Sequence, residues 1–275
     1  MPRLLILLAL ILSQPASAVS LAVYNITEER WRHSENLNQT RPIASLTKLM
    51  TVMVSLDQDQ DLDRVIKLNQ ASPRLIKGSY SRRTLITAVL VRSDNSAAEA
   101  LAEAYPGGRR EFVQSMNRKA QALAMRNTHF VDASGLSSSN RSTAHDVITM
   151  IRTSDLYPVI AEISTQKTAA LESGQGKRLT KLEIENTNRP VLIEFDGITV
   201  SKTGFTNSAG WCMALVVVRG GSRSAVVILG ADTQQRRFRD IKEAVLTHMA
   251  EPAPEPPKQA TPGDRMRSWF GVWAY

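Results

Sequence analysis

Three short runs of this chain hold residue types that do covalent chemistry on a carbonyl. The first is Ala44-Ser45-Leu46-Thr47-Lys48-Leu49-Met50, just after Pro42. On a helix, Ser45 and Lys48 lie one turn apart on the same face, so their side chains meet. A serine hydroxyl is a poor nucleophile until a neighbouring base takes its proton. A lysine serves as that base once its ammonium is destabilised. Near a helix N-terminus, the serine oxygen and its backbone N–H also sit where the dipole favours developing negative charge. Alone the motif is weak: at average residue usage about one copy is expected by chance in a chain this long, and a second stands at Ser164-Thr165-Gln166-Lys167.

The other two runs are Ser93-Asp94-Asn95 and Lys202-Thr203-Gly204. Ser-x-Asn recurs at Ser34-Glu35-Asn36 and Ser138-Ser139-Asn140, whereas Lys-Thr-Gly occurs once. Their joint order, with a helical stretch after the first, is far more specific than any single match. Ser164 cannot begin such a series, because no Ser-x-Asn separates it from Lys202. The glycine is expected to let a substrate backbone approach closely.

Elements must bring these runs together. Leu46, Leu49, Met50, Met53 and Val54 recur at helical spacing, so the Ser45 run opens a helix with its stripe in a core. Ser93-Asp94-Asn95 falls at a break between helices at about 83–90 and 96–104. Tyr105-Pro106-Gly107-Gly108 closes the second, and further helices are predicted over about 110–125 and 144–153. A first strand is read at Val19 to Tyr24, followed by a polar, irregular stretch at 28–41. Ile198 to Lys202, Cys212 to Arg219 and Ala225 to Leu229 read as strands, the last two joined at Gly220-Gly221-Ser222. A helix over Gln234 to Met249 closes the unit. Strands at both ends with helices between predict an α/β domain interrupted by an all-α insertion. The α/β parts fall at about 19–65 and 165–250, and the insertion at about 66–164.

The trio in this order resembles that of the penicillin-binding proteins and class A β-lactamases. It is most similar to the low-molecular-mass D-alanyl-D-alanine peptidases, and among them to the periplasmic DD-endopeptidase branch. Further stretches carry the likeness: Tyr105-Pro106-Gly107-Gly108, Ser134-Gly135-Leu136 within 127–136, Ser142-Thr143-Ala144-His145-Asp146, Asn186-Thr187-Asn188 and 202–210. They extend over about Val19 to Met249. Two residues depart from the pattern: Asp94 is more typical of β-lactamases, and His145 stands where the peptidases more often have arginine.

The resemblance implies a serine transpeptidase fold, an antiparallel sheet flanked by helices with an inserted helical domain. It also implies acyl transfer through a serine ester. Ser45 is then the nucleophile, Lys48 its base, and Ser93 the relay of a proton to the leaving nitrogen. Asn95 holds the substrate amide and Lys48. Lys202 and Thr203 bind a carboxylate beside the scissile nitrogen, and the oxyanion sits between the N–H groups of Ser45 and Phe205, after Gly204. Desolvation and the Lys202 cation are both expected to depress the Lys48 pKa. The substrates implied are peptidoglycan peptides, with β-lactam antibiotics as covalent inhibitors. No cofactor, metal or nucleic acid is expected. A serine β-lactamase and a non-catalytic wall-binding protein stay open as alternatives.

The remaining chain bears on address. Arg3, the apolar run Leu4 to Leu12 and Ala16-Ser17-Ala18 predict a signal peptide over 1–18. That run is too short to span a bilayer, so a periplasmic product beginning at Val19 is expected. The chain carries a formal net charge of +8, which suits anionic wall polymer or membrane surface. Cys212 is the only cysteine, so an internal disulfide is excluded, and its apolar run marks a buried thiol. Residues 251–264 hold five prolines and read as an extended linker. Residues 265–275 combine two arginines with aromatic residues and are expected to make weak membrane-surface contact, with docking onto the catalytic domain or a protein partner as the alternative. His129 and His145 lack partners at ligand spacing, and Glu183 and Glu185 stand one residue short of a β-lactamase loop glutamate.

Overall fold

A computed structural model describes residues 19–173 and 180–249. The chain opens with strands β1 (Ser20–Asn25), β2 (Arg30–Glu35) and β3 (Arg41–Pro42), then a single 3-10 turn, Ala44–Leu46, running straight into α1 (Thr47–Gln58). The middle contains β4 (Val65–Leu68), β5 (Gly78–Ser81), α2 (Arg82–Val91), α3 (Asn95–Glu103), α4 (Gly108–Ala122), β6 (Arg141–Ser142), α5 (Ala144–Ser154) and α6 (Pro158–Ser164). The chain continues through β7 (Thr168–Ser173), β8 (Thr180–Glu185) and α7 (Arg189–Glu194). It finishes with β9 (Ile198–Thr206), β10 (Gly210–Arg219), β11 (Ser222–Ala231) and α8 (Gln234–His248).

The two ends of the chain meet in one antiparallel sheet, ordered β2-β1-β11-β10-β9. Its central strands bury both faces, which is why they read as unbroken valine-rich runs. Met213, Leu215, Val217, Val226 and Ile228 pack with Ile241, Ala244 and Val245 of α8 on one face. The alternate residues Cys212, Ala214, Val216, Val227 and Leu229 join the helical core on the other. Gly220 and Gly221 turn the β10–β11 hairpin at φ 55° and 75°. Two consecutive positive φ values there match the twist of the strands, and glycine takes them without a side-chain clash. The α1 stripe is fully buried at Leu46, Leu49, Met50 and Met53, so α1 runs through the middle of the helical layer.

The α/β architecture with helices between the sheet-forming ends is the one expected, but the stretch read as all-α also holds the paired strands β4 and β5 and the short β6; Cys212 is a buried free thiol. Several elements differ. The polar stretch after β1 contains an ordered strand, β2, mostly exposed and held by pairing with β1. Residues 168–185 form the β7–β8 hairpin, and α6 and α7 are short helices that the apolar periodicity did not mark. Strand β9 runs on to Thr206, so Lys202-Thr203-Gly204 lies inside the strand, because pairing with β10 continues through Gly204↔Cys212 to Thr206↔Gly210. The expected signal segment 1–18, linker 251–264 and tail 265–275 lie outside the described residues.

Candidate active site

Ser45 sits in the tight turn that precedes α1. Ala44 before it has φ 47°, a left-handed conformation that costs a non-glycine residue about 1–2 kcal/mol. The turn is pressed into that shape from outside. Gly135, at φ 79°, lies so close that a Cβ on it would come within 2.0 Å of the Ala44 carbonyl oxygen. The Gly135 loop is itself fixed by Asp132, whose buried carboxylate accepts from the N–H groups of Ser134 (3.0 Å), Gly135 and Ser137 (2.8 Å) and from the Asn140 amide. This loop carries the Ser134 carbonyl to Lys48.

Lys48 is fully buried. Its Nζ donates to Ser45 Oγ at 2.9 Å, to Asn95 Oδ1 at 2.7 Å and to the Ser134 carbonyl. These three acceptors use the full donor capacity of an ammonium. Burial pulls its pKa down to about 7, against the opposing pull of the Asp132, Asp94 and Glu99 carboxylates. A lysine so poised is charged or neutral within a unit of neutral pH, as a general base requires. Lys202 is buried too, and donates to Ser93 Oγ at 3.0 Å and to the Thr203 carbonyl at 2.8 Å. Its pKa is pushed well below the usual lysine value, first by burial, then by the Lys48 and Arg237 cations. Repulsion between the two buried lysines works against charging both at once.

Ser93 occupies the junction of α2 and α3 at φ 61°. Asp94 then caps α3, its carboxylate accepting from Ala97 N at 2.9 Å, a local role that accounts for an aspartate at this position. Asn95 is the first residue of α3 and reaches Lys48. On the other side, Gly204 faces the Ser45 turn: a Cβ there would meet Ser45 N at 3.0 Å and Ile43 O at 3.1 Å. A side chain at this position would therefore press on the chain's own turn. Because β9 is the sheet's edge strand, its open side runs past that turn.

Ser45, Ser93, Asn95, Thr203, Gly204 and Phe205 line one cavity of about 550 Å³. Lys48 and Lys202 stand behind its wall, each bonded to one of its serines. All eight expected site residues therefore converge. The other matches do not. Ser164 is buried, and its Oγ accepts from Ser201 N at 3.2 Å, while Asn140 is consumed by the Asp132 loop. His145 lies outside the cavity, beside Asp146 and Trp31, and His129 pairs through its backbone with Arg141. Glu183 and Glu185 belong to β8, Glu185 facing Arg189 at 3.6 Å.

Among the cavity residues to which the sequence assigned no role are Thr187, Trp211 and Arg237. Thr187 accepts from Thr203 Oγ1 at 2.7 Å. Trp211 stacks against Phe205 with ring centroids 4.1 Å apart. Arg237 is buried at 2% exposure, lies 5.0 Å over the Trp211 ring, and has no carboxylate partner among the described residues. Its Nε is buried without a hydrogen-bond partner, and burial lowers its pKa to about 10. A signal for it existed: Arg237, Ile241, Ala244 and Val245 share one helical stripe, which puts a cation on the core-facing side of α8.

A family profile described as D-alanyl-D-alanine carboxypeptidase matches residues 13–233. The D-alanyl-D-alanine endopeptidase of Escherichia coli strain K12 is 36% identical over 238 residues, covering 83% of this chain and 76% of its own length. That of Pseudomonas aeruginosa is 37% identical over 219 residues, covering 76% and 69%. Among solved structures, penicillin-binding protein D2 from Listeria monocytogenes in its ampicillin-bound form is 30% identical with a TM-score of 0.75, over 86% of this chain and 98% of its own. The Streptomyces K15 DD-transpeptidase, 23% identical, shares the fold with a TM-score of 0.80 over 86% of this chain and 98% of its own.

Proposed function

The chain belongs to the D-alanyl-D-alanine carboxypeptidase family, and from that premise we propose that it cleaves D-alanyl bonds in peptidoglycan stem peptides, chiefly at cross-links, through an ester on Ser45. The observation that carries this reading is the Lys48–Ser45 contact at 2.9 Å with the Lys48 pKa near 7. Neutral Lys48 takes the proton of Ser45 as its oxygen bonds to the carbonyl carbon of the penultimate D-alanine. The carbonyl electrons move onto oxygen, held by the N–H groups of Ser45 and Phe205; losing one such donor costs about a hundredfold to a thousandfold in rate. As the tetrahedral species collapses, the C–N bond breaks and the proton held by Lys48 passes by way of Ser93 to the leaving nitrogen, leaving Lys48 neutral. Lys48 then takes a proton from the water that attacks the ester, and returns it to the Ser45 oxygen as the ester bond breaks.

The leaving nitrogen has a carboxylate beside it, whether it belongs to free D-alanine or to the D-centre of a diaminopimelate residue in a cross-link. Lys202, Thr203 and Arg237 receive that carboxylate. It brings a negative charge to two buried basic side chains lacking a carboxylate partner among the described residues, which favours the charged form of Lys202. β-Lactams present a carboxylate in the same relation to a strained amide, so they acylate Ser45 and stay. Preference for cross-links rests on the relatives named as endopeptidases.

Mass spectrometry of purified muropeptides after incubation tests the reading. Splitting of cross-linked dimers faster than trimming of monomeric pentapeptides is expected, and rapid trimming with intact dimers contradicts it. The site of action is the periplasm, with residues 265–275 resting on an anionic membrane surface. Co-sedimentation with anionic vesicles should favour the mature chain over one ending at Pro257, and equal partitioning would contradict the tail's role.

A further inference from the structure

We propose that Arg92 is a specificity residue that binds a second carboxylate on the leaving stem of a cross-link. Arg92 ends α2, directly before the strained Ser93, and is partly buried at the wall of the catalytic cavity. Its backbone is held, with Arg92 N donating to Ala88 O at 3.1 Å. Its guanidinium has no ion-pair or hydrogen-bond partner among the described residues. The cavity is lined by two arginines, Arg92 and Arg237, and by no acidic side chain. A wall of that composition lacks its counter-charge until an anion enters.

Position decides which part of the substrate Arg92 meets. Thr187 N donates to Val91 O at 3.0 Å, and Thr187 Oγ1 accepts from Thr203 Oγ1 at 2.7 Å. The backbone just before Arg92 is thereby tied to the carboxylate-binding threonine. Ser93, the next residue, hydrogen-bonds to Lys202. Arg92 therefore flanks the leaving-group half of the cavity.

Free D-alanine brings one carboxylate, which Lys202, Thr203 and Arg237 already satisfy. The leaving stem of a cross-link is a peptide with further carboxylates beyond the one at the scissile nitrogen. A second guanidinium on the same side is surplus for the first product and complementary to the other. The inference rests on the endopeptidase reading of the same cavity.

The test compares kcat/KM for a purified cross-linked dimer and for a monomeric pentapeptide, together with the rate of penicillin acylation, in wild type, Arg92→Ala and Arg92→Lys. A second dimer has its leaving stem amidated at every carboxylate except the one beside the scissile nitrogen. Arg92→Ala is expected to lose about tenfold more on the dimer than on the pentapeptide or on penicillin acylation, with Arg92→Lys recovering part of it. Amidation should cost wild type about tenfold and Arg92→Ala little. Equal losses on all three reactions, or equal cost of amidation in both proteins, would overturn the inference and leave the endopeptidase reading standing. A wild-type enzyme that leaves dimers whole would overturn both.

Discussion

Lys48 gives all three of its N–H bonds to Ser45, Asn95 and Ser134 while burial holds its pKa at about 7. The sign of the resulting pH dependence follows from its role. A base works neutral, so activity is present above the pKa and lost below it. The second-order rate of penicillin acylation should fall about tenfold per pH unit below roughly 7 and level off above, measured by stopped flow. A flat profile between pH 5.5 and 8 would mean that another group takes the proton. Lys48→Arg keeps the charge but cannot lose it, and should lower acylation by about a thousandfold or more. Ser93 poses a different trade. Its φ of 61° costs about 1 kcal/mol, and glycine would relieve it. Ser93→Gly should lower peptide cleavage by about a hundredfold while Tm holds or rises by about 2–4 °C. A clear fall in Tm would show that the residue is not strained.

At the scale of elements, the site depends on three pieces of backbone meeting without side chains between them. Gly135 touches the Ala44 carbonyl, and Gly204 touches the Ser45 turn. Gly135→Ala forces a Cβ into that carbonyl at φ 79°, and should cost roughly 2–4 kcal/mol of stability and most of the acylation rate. Thermal melts and penicillin labelling of the variant check both; an unchanged Tm would mean that the loop moves aside freely. These contacts explain what could and could not be read beforehand. The β10 and β11 runs and the α1 stripe were legible because burial writes itself into residue type at a fixed period. The edge strand β2 was not, since its residues mostly face solvent and it is ordered largely by pairing with β1. Asp132 was equally silent: a loop aspartate reads as surface until its acceptors are seen to organise Ser134, Gly135 and Ser137. The packing need for a glycine at 204 was not legible either, because the neighbour that needs the space is 159 positions away in sequence.

Over the whole molecule, the cavity lies where the edge of a sheet built from both chain ends meets the helices between them. The turn before α1 supplies Ser45 and the first turn of α1 Lys48, the α2–α3 junction Ser93 and Asn95, and β9 the lysine, threonine and glycine. Order along the chain exposed this convergence, because three motifs on three such elements have one way to share a cavity. Arg237, arriving on α8, was hidden among neighbouring arginines that face solvent. The central claim is that this convergence makes Ser45 the acylated nucleophile. Intact-mass spectrometry after incubation with benzylpenicillin tests it most directly. One adduct per chain is predicted for the wild type, located on the peptide that contains Ser45, and none for Ser45→Ala. An adduct that persists in folded Ser45→Ala would contradict the account.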